Sequence, residues 1–73
     1  MDVKDYKIMA FKAKFKKLEE LMMESFNSGD LIVKVPYSFF SSDMEFLAYC
    51  IDELAGKGFI LRMYRDRMEI CFN

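Results

Sequence analysis

Between Lys4 and Phe26, apolar side chains return every three or four positions, at Ile8, Phe11, Phe15, Leu18, Met22 and Phe26. At about 100° per residue this spacing gathers them on one stripe and predicts an amphipathic helix. Asp2 or Asp5 supplies a cap at its start, and Asn27-Ser28-Gly29-Asp30 supplies residue types that end helices and open turns. Leu31-Ile32-Val33-Lys34-Val35 is rich in β-branched side chains and is stopped by Pro36, which has no N–H to give a ladder. That segment reads as a short strand.

Ser42 with Glu45 three positions on fits a capping box, so a second helix is expected to begin there. Its stripe is Met44, Leu47, Ile51 and Leu54, with Cys50 and Ala55 alongside, and Gly56-Lys57-Gly58 ends it. Phe59 to Tyr64 and Met68 to Phe72 then read as two strands joined through Arg65-Asp66-Arg67, a hairpin without the favoured Asn-Gly chemistry. The order is αβαββ.

Alternation assigns faces to the strands. Leu31, Val33, Val35, Phe59, Leu61, Met63, Met68, Ile70 and Phe72 are expected to meet the helices. Ile32, Lys34, Ile60, Arg62, Tyr64, Glu69 and Cys71 then share the opposite face, where no helix is left to cover them. A helix joins the first strand to the second, so the default connection is a right-handed parallel crossover, with the hairpin adding an antiparallel third strand. The expected fold is therefore α+β: a small two-layer sandwich, two helices packed on one face of a three-stranded mixed sheet. A winged-helix-like arrangement is the alternative.

Length limits this to one domain over residues 1–73, since 73 residues hold one core. With 53% apolar and 32% charged residues, three glycines and one proline, the chain has the composition of a packed globule rather than a disordered segment. It contains no histidine, the commonest general base and metal ligand. Its two cysteines, Cys50 and Cys71, lack C-x-x-C spacing and follow no apolar leader, which suggests reduced thiols in a cytoplasmic protein. Uninterrupted apolar runs fall far short of the roughly 20 residues needed to span a bilayer, so no membrane role is expected.

Charge is segregated along the chain. Six lysines against two aspartates leave residues 1–17 at a net +4. Eight acids against Lys34 leave residues 18–56 at −7, and residues 57–73 return to +2. The first helix therefore carries its charge against its own macrodipole, with Lys4 and Lys7 near its start and Glu24 near its end. Pairing with the acidic middle segment explains this as well as a charged partner does.

Several features invite chemistry and are met by plainer explanations. Met9 and Met23 fall off the first helix's stripe, as adaptable contacts or as scattered surface hydrophobes. Tyr37, Phe39 and Phe40 crowd one loop, where the phenylalanines suit a plug at the end of the sandwich and Tyr37 suits recognition. Glu19-Glu20 and Asp52-Glu53 point about 100° apart on a helix and do not converge on a reacting atom. Ser38, Ser41 and Ser42 have no histidine to activate them, and both cysteines suit small apolar roles. The spacing of a phosphate-binding glycine loop is missing. No catalytic, cofactor or metal set is expected.

The reading that follows is a non-catalytic protein-interaction module, a regulator or inhibitor of a larger protein. It binds through Ile32, Lys34, Ile60, Arg62 and Tyr64 on the uncovered sheet face, with Lys12, Lys14, Lys16 and Lys17 as a steering surface. A homodimer paired through the first or third strand is a further expectation. The alternative is nucleic-acid binding through the lysines of the first helix and the arginines of a hairpin wing. Against it, the helix before the hairpin carries Glu45, Asp52 and Glu53, which phosphates repel.

Overall fold

The computed structural model describes residues 2–71. Helix α1 spans Val3–Asn27, strand β1 Ile32–Pro36, a 3-10 turn Tyr37–Phe40, helix α2 Met44–Gly56, and strands β2 Ile60–Met63 and β3 Arg67–Cys71. Both helices lie on one face of the sheet, giving the expected α+β sandwich. The hairpin belongs to that sheet and is not a wing projecting from a helical bundle.

Strand order is β1-β3-β2 and both pairings are antiparallel. The mixed sheet expected from the crossover does not form. β1 and β2 do run in the same direction, as a helical connection requires, but β3 inserts between them, leaving no parallel neighbours. The hairpin closes on the two-residue loop Arg65-Asp66, with Tyr64 N–H donating to the Arg67 carbonyl at 2.9 Å.

Local chemistry sets the helix ends. Asp2 is the N-cap of α1, and its N–H donates to the Asp5 carboxylate at 3.2 Å. Both helices end in the same way. Gly29 and Gly58 adopt φ of +95° and +93°, and Asp30 N–H and Phe59 N–H reach back to the carbonyls of Ser25 and Leu54. These are Schellman motifs, which turn each helix into the strand that follows. The cap of α2 is Asp43, not Ser42. Asp43 is extended and accepts the Phe46 N–H at 3.1 Å, whereas Ser42 sits at φ +57°, a conformation that an N-cap does not adopt.

The core joins Phe15, Leu18 and Met22 of α1, Phe46, Cys50 and Leu54 of α2, and Val33, Val35, Met68 and Ile70 of the sheet. Phe40 plugs one end, its ring 5.8 Å from that of Phe46, with Phe39 half-buried against both. On α2 the buried line is Phe46, Cys50 and Leu54, while Met44, expected inside, is exposed. Apolar residues cover most of the circumference of this helix, so their spacing alone does not fix which line faces inward.

Ile8 also departs from expectation and is exposed. It lies in line with Phe15 and Phe26, but 25 helical residues extend about 37 Å while strands of four or five residues cover about 17 Å. The first turns of α1 therefore overhang the sheet, with Val3, Tyr6 and Met9 exposed as well. Lys7 ties the overhang to Glu45 of α2 at 3.2 Å.

Of the nine strand residues expected against the helices, Val33, Val35, Met68 and Ile70 are buried, and Phe59 and Leu61 pack at the margin. Leu31 and Met63 are exposed, because Leu31 precedes β1 and Met63 ends β2, beyond the cover of the helices. Phe72 lies outside the described residues.

Candidate functional site

The face of the sheet turned away from the helices is built in three cross-strand rows. Pairing sets Ile32 opposite Cys71 and Cys71 opposite Ile60, which makes an apolar row across all three strands. The next row is Lys34, Glu69 and Arg62, and the third is Pro36, Arg67 and, across the hairpin bond, Tyr64. Side chains on one face of neighbouring strands stand about 4.5–5.5 Å apart at Cβ, so each row is a contact surface.

Burial within the rows follows strand order. Ile32, Ile60 and Tyr64 keep 41%, 42% and 42% of their surface in solvent, and Lys34 and Arg62 are exposed. Glu69 and Cys71, expected on the same open face, retain only 6% and 8%. No helix covers them. They belong to the central strand, and the flanking side chains of β1 and β2 shield them.

Charge is distributed unevenly across the middle row. The Glu69 carboxylate lies between Lys34 and Arg62, yet it bonds Arg67 of its own strand, at 3.2 Å from Nε and 3.1 Å to the terminal nitrogen. Arg67 also pairs with Asp66 at 2.9 Å and lies 4.6 Å over the Tyr64 ring. Burial opposes the charge on Arg67, but its hydrogen bonds to Glu69 and Asp66 outweigh that and raise its pKa. Tyr64 is fixed from a second side, since the Tyr37 hydroxyl donates to its carbonyl. Among the described residues, Lys34 and Arg62 form no ion pair. The surface thus offers an apolar strip beside two cations that form no ion pair among the described residues.

Sequence reasoning brought together Ile32, Lys34, Ile60, Arg62 and Tyr64, and the structure places all five on this face. It did not bring in Arg67, which the turn reading kept out of the strand; its alternation with Glu69 and Cys71 was the available signal. The steering lysines lie elsewhere. Lys12, Lys14, Lys16 and Lys17 are on α1, in the other layer, and at about 100° per residue they spread around the helix. Lys14 lies 5.3 Å over the Phe46 ring. They are not continuous with the sheet face.

Elsewhere, Met9 and Met23 are exposed and Tyr37 is half-buried. Cys50 is fully buried; burial, with Glu53 nearby, pushes its thiol pKa up to about 12, so it behaves as a small apolar side chain. Among the described residues no helix is long and apolar enough to cross a membrane. Comparison with protein families, curated proteins and solved structures finds no match to this chain.

Proposed function

We propose that this chain is a small non-catalytic protein-interaction module, a regulator or inhibitor that docks on a larger protein through the open face of its sheet. The observation that carries the reading is the pairing of the Ile32–Cys71–Ile60 strip with Lys34 and Arg62, two cations without acidic partners among the described residues. The complementary surface presents apolar side chains to the strip and carboxylates to its rim. Apolar burial then supplies the affinity, while the charges favour encounter and fix orientation. Tyr64, its carbonyl bonded by Tyr37 and its ring against the Arg67 guanidinium, adds an aromatic anchor to the face.

The nucleic-acid alternative draws less support. Arg67 is occupied by Glu69 and Asp66, and α2 presents Glu45, Asp52 and Glu53 to solvent. A homodimer through β3 is closed off because β3 is the central strand, which leaves only the edges of β1 and β2.

A photo-crosslinking residue at Ile60 tests the proposal, with one at Met23 on the helix layer as control. The expected result in extract of the native host is a discrete adduct from position 60, competed by unmodified protein and lost when Lys34→Glu and Arg62→Glu are added. Adducts from position 23 alone, or adducts from 60 that survive both charge reversals, would overturn it.

A further inference from the structure

We propose that the open sheet face of one copy takes helix α2 of a second copy, so that this chain associates head to tail. The inference rests on that face being a docking surface, and it adds how access to the face is controlled: a larger partner has to displace the second copy.

The side of α2 turned away from the core is more apolar than a solvated surface requires. At about 100° per residue, Met44, Ala48, Ile51 and Ala55 form one line and Glu45 and Asp52 the next, both away from the buried line of Phe46, Cys50 and Leu54. Met44 is 72% exposed, Ala48 and Ala55 are exposed, and Ile51 is half-buried. An exposed apolar line bordered by charge is a surface suited to contact. The open sheet face has the same plan in opposite sign, its apolar row of Ile32, Cys71 and Ile60 bordered by Lys34 and Arg62.

The spacings agree. Asp52 follows Glu45 by seven residues, which is about 10.5 Å along a helix. Lys34 and Arg62 stand on the strands that flank β3, two strand spacings or about 9.5 Å apart. Laid across the strands along the apolar row, α2 sets one carboxylate beside each cation.

Charge selects the occupant. From Asp43 to Gly56, α2 carries Asp43, Glu45, Asp52 and Glu53 and no basic residue. Asp52 forms no ion pair among the described residues, while Glu45 is held by Lys7 at 3.2 Å in an exposed pair, so Asp52 carries the larger part of the match. On the sheet, Arg67 takes both Glu69 and Asp66, and Arg65 adds a further positive charge in the hairpin loop. Asp30 and Lys57, ahead of the two edge strands, are of opposite sign and bring no net charge. The face therefore stays positive. Helix α1 fails the same comparison, since its exposed Lys12, Lys14, Lys16 and Lys17 would meet like charge there. Within one chain both helices lie on the other side of the sheet, so α2 reaches this face only from another copy. The two surfaces in contact differ, which makes the contact heterologous and lets copies add in an open series.

Sedimentation velocity on the purified protein, together with a photo-crosslinking residue at Ile60, tests this without any other protein. The mean mass is expected to rise with concentration past two copies, and position 60 to join Met44–Gly56 of another copy. Reversing the sheet cations, Lys34→Glu with Arg62→Glu, or the helix acids, Glu45→Lys with Asp52→Lys, should each weaken association by roughly tenfold or more, because either change sets like charges together. All four positions are exposed, and circular dichroism confirms that the variants fold. An equimolar mixture of the two reversed proteins should associate again. The proposal fails if the protein stays a monomer at every concentration, if position 60 joins a strand of another copy instead of α2, if association survives either reversal, or if the mixture does not restore it. A monomer whose position 60 still gives adducts in host extract would sink this contact and leave the docking reading standing. Head-to-tail association with no further adduct in extract would do the reverse.

Discussion

Glu69 takes its hydrogen bonds from Arg67, two residues away on the same strand, and not from Lys34 or Arg62 directly across the sheet. The carboxylate is nearly buried while the guanidinium is about one-third exposed, so Arg67 holds charge in the centre of the face and leaves the two edge cations free. Truncating Arg67 does not orphan Glu69, because Lys34 and Arg62 lie opposite it and are able to swing inward. Arg67→Ala should therefore lower the urea midpoint only modestly, and Lys34→Ala alone should leave it nearly unchanged. The triple variant, with Arg62→Ala added as well, should lose more than the sum of the single losses, the signature of several donors sharing one acceptor. Strict additivity would show that neither Lys34 nor Arg62 reaches Glu69.

The two halves of α1 differ in what they contribute. Phe46 is fully buried among the rings of Phe11, Phe39 and Phe40, whereas Ile8, one turn before Phe11, is 44% exposed. Phe46→Ala should cost about 3–5 kcal/mol, from lost transfer energy and the cavity left behind. For 73 residues, at roughly 0.05–0.15 kcal/mol each, that is a large share of the total stability. Ile8→Ala should cost less than about 1 kcal/mol. Equal losses, measured by urea unfolding, would mean that the overhang packs in solution.

The start of α2 permits a sharper comparison of neighbours. Asp43→Ala removes the acceptor for Phe46 N–H and should cost about 1 kcal/mol. Ser42→Ala removes no cap bond. Ser41 and Ser42 both sit at positive φ, +53° and +57°, where a Cβ is disfavoured. Ser42→Gly should therefore stabilise the protein by about 0.5–1 kcal/mol, strain relief exceeding the entropy that glycine adds to the unfolded chain. Destabilisation by Ser42→Gly, read from thermal unfolding, would show that no strain is held there.

These positions also show how far local pattern reaches. Period-two alternation placed Val33, Val35, Met68 and Ile70 inside and Ile32, Ile60 and Tyr64 outside, because each strand has one covered face. Gly29 and Gly58 announced the helix ends through a backbone conformation that few other residues accept. Strand order was not legible, since a helical connection fits either an adjacent parallel strand or one set a strand apart. The burial of Glu69 and Cys71 depends on that order and was missed with it. Ser42 and Asp43 are adjacent residues of equal capping type, and the spacing to Glu45 pointed to Ser42, the wrong one of the two.

Alkaline pH offers a last measurement. The buried Cys50 thiol is raised to about 12 in the folded protein, by burial first and Glu53 second. An unfolded cysteine ionises near about 8.5. Below that pH both states hold the proton and the contribution is fully present. Above it the unfolded chain releases the proton while the folded protein keeps it, so the unfolded state binds fewer protons and stability falls as pH rises toward the folded value. The limiting slope for one such group is about 1.4 kcal/mol per pH unit. Unfolding free energy should thus decline from about pH 9 upward in the native chain. In Cys50→Ala, which starts lower because a small cavity replaces the sulfur, the decline should be shallower by the contribution of this thiol. Parallel pH profiles for the two proteins would mean that Cys50 ionises as readily in the fold as outside it, and that the α2–sheet seam admits water to the thiol.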